Sequence, residues 1–158
     1  MKNLLLTFLS IAVIFAACEK EEDEPTSTTT PTPTTTTYDF SCMVGGADFT
    51  DNSPIVVINP SSNVLTLDAE NGGNTIRMVI YNFSDRNVGE EISLNYGAGI
   101  SGAYATIDGV DYTNTQSGKL IFTKIDTELS GTFSFTSTSP SIGVNKSVTE
   151  GVFEDLTF

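Results

Sequence analysis

With no histidine in this 158-residue chain, the side chains weighed for chemistry are its carboxylates and its two thiols. Without an imidazole, the Ser-His-Asp and Cys-His arrangements, the zinc motifs and a base titrating near neutral pH are all excluded. No Gly-x-Ser-x-Gly elbow is present, and no glycine-rich phosphate loop opens a helix. The remaining acids of interest are Glu90-Glu91, Asp108 with Asp111, and Glu150 with Glu154-Asp155. A glycosidase-like pair needs two carboxyls about 5 to 10 Å apart across one sugar bond. Adjacent acids on a strand point to opposite faces, so Glu90-Glu91 does not qualify. The plainer reading places all of these acids on solvated edges and turns, and no catalytic residue is assigned. Calcium needs six to eight oxygens. Asp68-Ala69-Glu70-Asn71-Gly72-Gly73-Asn74 lacks the spacing and distal Glu of an EF-hand loop and reads as a hairpin turn, and Asp108-Gly109-Val110-Asp111 adds only two carboxylates. No metal and no cofactor is assigned.

The two thiols differ in their surroundings. Cys18 ends an apolar run of 14 residues, Leu4 to Ala17, which is preceded by Lys2 and closes on the small pair Ala16-Ala17. A positive start, a short apolar core and small residues at the end are the layout of a secretory signal. The run is shorter than the ~20 residues a spanning helix needs. The segment Phe15-Ala16-Ala17-Cys18 resembles the lipobox of bacterial lipoproteins, with Phe15 where Leu is usual, which implies cleavage before Cys18 and a diacylglyceryl thioether on it. One acyl chain holds a protein only marginally, at about 0.8 kcal/mol per buried methylene, and several hold it firmly. Directly after Cys18 come five acids and one lysine, Glu19 to Glu24. This block is a solvated spacer. It also resembles the acidic export tag of surface lipoproteins in the Bacteroidetes, which implies an outer-membrane location facing the cell exterior, with the periplasmic face as the alternative.

Pro25 to Thr37 is built from Thr, Ser and Pro, with nine threonines. It has no apolar side chains to offset the entropy of ordering and reads as an extended tether, either plain or O-glycosylated. The chain therefore divides into a removed signal (1–17), a lipidated cysteine with its tether (18–37), and one domain (38–158). Those 121 residues suit a single core that needs no disulfide staple. Once Cys18 is acylated, only Cys42 remains. It lies in phase with Tyr38, Phe40 and Val44 and is expected to be a small buried hydrophobe rather than a reactive thiol. The domain carries 15 acids and five bases, a net charge of −10. With so few cations it offers nothing to a phosphate backbone, and nucleic acid is excluded as a partner. The charge also keeps the domain off anionic headgroups.

The hydropathy period is two. Ile76, Met78 and Ile80 alternate with Arg77, Val79 and Tyr81. Ile92, Leu94 and Tyr96 alternate with Glu91, Ser93 and Asn95. Leu129, Gly131, Phe133 and Phe135 alternate with Ser130, Thr132, Ser134 and Thr136. Each pattern predicts a strand with one buried and one wet face. Turn formers separate the strands at Gly45-Gly46, Asn59 to Asn63, Glu70 to Asn74, Asp108-Gly109 and Asp126 to Glu128. This predicts an all-β domain of nine or ten strands, an antiparallel sandwich first and a closed or flattened barrel as the alternative. Gly131 and Gly151 mark places where a bulge or a large neighbouring ring needs room, with Phe133, Phe135 and Phe153 in the core.

Gly45-Gly46-Ala47-Asp48-Phe49, Gly118 to Asp126, Leu129-Ser130-Gly131-Thr132-Phe133-Ser134-Phe135 and Val148-Thr149-Glu150-Gly151-Val152-Phe153, in that order behind a lipobox, resemble a family of uncharacterised Bacteroidetes lipoproteins with one small β domain. The resemblance implies the fold and the anchor and brings no activity or catalytic residues. Function is expected to be that of a tethered binding or accessory module for a glycan or protein at the surface, with Tyr81, Tyr104 and Tyr112 as candidate contact aromatics. The alternatives are a lipocalin-like carrier of a small apolar ligand and a carboxylate-based hydrolase.

Overall fold

A computed structural model describes residues 38–158 except 96 and 98. The signal (1–17), Cys18, the tether (18–37) and Tyr96 lie outside the described residues. Among the described residues eleven strands form: β1 (Phe40–Val44), β2 (Ala47–Asp51), β3 (Ile55–Asn59), β4 (Val64–Asn71), β5 (Asn74–Tyr81), β6 (Glu91–Ser93), β7 (Gly102–Ile107), β8 (Val110–Tyr112), β9 (Asn114–Ile125), β10 (Glu128–Thr138) and β11 (Asn145–Thr157), with one 3-10 turn at Phe83–Asp85. They make two antiparallel sheets, β2-β1-β11-β10-β9-β6 and β3-β4-β5-β7-β8, facing each other as a sandwich. The sheets do not close on each other, so the barrel alternative is set aside. The strand expected over Glu91 to Tyr96 is realised as the short β6, and the count exceeds nine or ten in part because β8 has only three residues, too few to display an alternation.

The turns fall where the glycines and Asx residues place them. Gly45 and Gly46 (φ 59° and 89°) close β1–β2, and Gly72 and Gly73 (φ 59° and 83°) close β4–β5. The inward faces of the long strands supply the core: Leu65, Leu67 and Ala69 from β4, Ile76, Met78 and Ile80 from β5, and Phe133 and Phe135 from β10. Phenylalanine rings run through it in edge-on and tilted contacts. Phe122 meets Phe83 at 5.8 Å and Phe153 at 6.1 Å between centroids, and Phe40 meets Phe133 at 5.1 Å. The two expected glycine sites are realised as cross-strand pairs. Gly131 of β10 stands opposite Phe153 of β11, and Gly151 of β11 stands opposite Phe133 of β10. Each ring lies over the facing glycine, so that a Cβ on either would come within 2.6 Å of it.

β11 carries two register shifts against β10, near Glu150 and Asp155, whose φ values are 54° and 51°. These are bulges, and they bend the longest strand of the fold around the core. Polar contacts tie one sheet to the other in two places. Thr115 and Ser137 donate their hydroxyls to the Ala103 carbonyl. On β2, Asp51 Oδ2 accepts the Glu70 amide at 2.8 Å and the Thr50 carbonyl accepts Asn71 Nδ2 at 2.8 Å.

Candidate functional site

The outward residues of the five-stranded sheet form rows across the strands. In a hairpin closed by Gly72-Gly73, Asp68 falls opposite Arg77, and Arg77 in turn falls opposite Tyr104 of β7. On the adjacent row Thr75 faces Thr106, and Thr106 faces Asp111 of β8. Arg77 donates Nε to Asp68 Oδ1 at 2.6 Å and Nη2 to Asp68 Oδ2 at 2.9 Å, a two-pronged pair that fixes the plane of the guanidinium. The hydrogen bond to Asp68, and then the carboxylate's charge, raise the Arg77 pKa further above its already high value. Thr106 donates its hydroxyl to Asp111 Oδ1 at 2.8 Å.

This row floors a groove of about 490 Å³ lined by Asp68, Arg77, Val79, Tyr104, Thr106 and Asp111. A second hollow of about 490 Å³, lined by Asp51, Ile55, Glu70 and Gly72, shares Asp68, Thr75 and Arg77 with the first. The ion pair is therefore the common wall between two concavities. The surface presents both donors and acceptors on a rigid sheet.

The three candidate tyrosines do not form one patch. Tyr104 lines the groove. Tyr81 lines a separate hollow of about 300 Å³ with Arg86, Ile92 and Ile100, and its carbonyl accepts both Nε and Nη2 of Arg86. Tyr112 is 5% exposed and belongs to the core, with Lys146 Nζ 5.5 Å from its ring centroid. An exposed role for Tyr112 is thereby corrected. Its strand alternates so that Asp111 faces solvent and Tyr112 faces in.

Of the acids singled out for hydrolysis, Glu90, Glu91, Asp111 and Asp155 each have a separate partner. Glu90 accepts Arg86 Nη1 at 2.8 Å and the Asn87 amide at 3.1 Å, and these contacts depress its pKa. Glu91 pairs with Lys119 at 3.4 Å. Asp155 accepts Lys124 Nζ at 3.0 Å, which lowers its pKa, while Lys124, also bonded to Glu128, is raised. Asp108 sits at the β7–β8 turn with φ 52°, and its amide donates to Asn74 Oδ1 at 2.8 Å. Among the described residues no cluster of three or more His, Cys, Asp or Glu is placed to hold a metal ion. The stretch from Asp68 to Asn74 forms the β4–β5 turn.

Cys42 is buried, and desolvation pushes its thiol up from 9.0 to about 12. The fold therefore favours the protonated thiol. This preference stabilises fully below pH 9 and fades as pH rises toward 12, by at most about 1.4 kcal/mol per pH unit. Between pH 8 and pH 11 the wild-type chain is expected to lose more stability in urea titrations than Cys42→Ala loses. Equal losses would contradict the assignment.

Comparison with protein-family models, with curated proteins and with solved structures finds no match.

Proposed function

We propose that this chain is a lipid-anchored binding module of a bacterial outer membrane, held by acylated Cys18 and displayed toward the cell exterior on its Thr/Pro tether. The binding face is the outer side of the five-stranded sheet. The anchor rests on the run from Leu4 to Cys18 and the acids after it. The binding role rests on one observation, the groove beside the Asp68–Arg77 pair. Asp68 engages two of Arg77's five N–H donors. Arg77 lines a concavity together with Tyr104, Thr106 and Asp111. A fixed planar donor beside an aromatic and acceptor oxygens suits a polar ligand, a glycan or a protein loop, better than an apolar one. The space between the sheets is occupied by the phenylalanine core, which leaves the apolar-carrier reading without support.

The full chain, purified from membranes, is expected to capture a glycan from an array or a protein from a surface pull-down. Arg77→Ala, at an exposed position, should weaken that capture at least tenfold without changing the melting temperature. Mass spectrometry of the same preparation should find an acylated Cys18 at the amino terminus. Capture no better than an unrelated β-sandwich, or a bare residue 18, would overturn the corresponding half of the reading.

A further inference from the structure

Four strands end the two sheets: β2 and β6 in one, β3 and β8 in the other. Three of them carry acid, Asp48 and Asp51 on β2, Glu91 on β6 and Asp111 on β8. A charge on an edge strand is the common device that stops it pairing with another chain. β3, Ile55-Val56-Val57-Ile58-Asn59, carries no charge. It lies inside a run from Asn52 to Leu67 without a single charged residue, in a chain of net charge −13. Its outward side chains Ile55 and Val57 are 63% and 54% exposed, and its inward Val56 and Ile58 are only partly buried against the core.

We propose that β3 is a self-pairing edge, where a second copy of this chain adds its own β3 antiparallel and extends the five-stranded sheet to ten strands. With the two-fold axis at Val57, Ile55 stands opposite Asn59 of the second copy and Val57 opposite Val57. The parity of this register keeps outward side chains on one face, and Val56 and Ile58 are covered by their counterparts. Charge selects this edge over the others. Pairing β2, β6 or β8 with itself would bring acids together, whereas β3 meets β3 with none. A five-residue edge buries less than the ~1,200 Å² of a stable interface, so the dimer is weak and depends on local concentration.

The test is oxidative cross-linking of the full chain in detergent, with Val57→Cys as the reporter. The wild-type chain supplies the baseline for Cys18 and Cys42, and Ile142→Cys, an exposed apolar loop position (55%), serves as the control. Val57→Cys is expected to form cross-linked dimer at least tenfold faster than Ile142→Cys. Salt should raise that rate by screening the like-charged copies, and Ile55→Glu in the same background should abolish the excess while leaving the melting temperature unchanged. Rates equal to the control, or insensitive to Ile55→Glu, would overturn the proposal. So would a Val57→Cys thiol shielded from maleimide without dimer forming, since that outcome assigns the edge to another extended segment.

Discussion

Phe122→Ala is expected to lower the stability of the domain by about 3 to 5 kcal/mol, roughly 10 to 20 °C in melting temperature. Phe122 is 0% exposed, and its ring joins two parts of the fold. Phe83, in the 3-10 turn after β5, meets it at 67°, and Phe153, on β11, meets it at 81°. Truncation removes the transfer free energy of the ring and leaves a void that two β-sheets cannot collapse around. It also releases Phe83, so the hollow that Tyr81 and Arg86 line should lose definition before the groove at Arg77 does. Phe122→Leu, which keeps most of the volume, should cost far less. Urea denaturation of both variants measures the difference, and a loss under 1 kcal/mol for the alanine variant would mean that this ring is not the centre of the core.

Gly131→Ala is expected to destabilise at the upper end of the 1 to 3 kcal/mol that overpacking costs. The new methyl would stand 2.6 Å from Phe153 Cζ and 2.7 Å from the Ile121 carbonyl. The ring can shift, but the carbonyl belongs to a ladder and cannot. For Gly151→Ala the three nearest atoms all belong to the Phe133 ring, at 2.6 Å, so it should cost less than Gly131→Ala. The pairing gives a sharper check. In Phe133→Leu the penalty of Gly151→Ala should shrink by about 1 kcal/mol, because the Cε1 and Cε2 atoms it strikes are gone. Additive costs in that cycle would show that the ring does not occupy the glycine's side-chain space.

Most of this architecture was legible because a period of two needs only a few repeats to declare itself. Ile76, Met78 and Ile80, then Leu129 to Phe135, are long enough for the inward face to be unambiguous. Gly131 and Gly151 were legible for a related reason, since a glycine in phase with core residues asks what fills its place. β8 was not countable from the sequence, and with it went the side of Tyr112. A tyrosine serves either face of a sheet, and three residues give no phase to decide it. The bulge at Glu150 adjoins Gly151, where the sequence allowed for one, whereas the bulge at Asp155 was hidden because that position is not a glycine, although both take positive φ. The Asp68–Arg77 pair has its own signal in the sequence. The two lie symmetrically about the Gly72-Gly73 turn, and a two-residue hairpin fixes that register.

The position of β1 has a mechanical consequence. It is the first strand after the chain enters the fold at Tyr38, and it lies inside its sheet, with β2 on one side and β11 on the other. Tension drawn along β1 from its amino-terminal side must shear both ladders together, whereas a strand at the margin would peel away bond by bond. A load hung on this domain from that end works against two ladders at once.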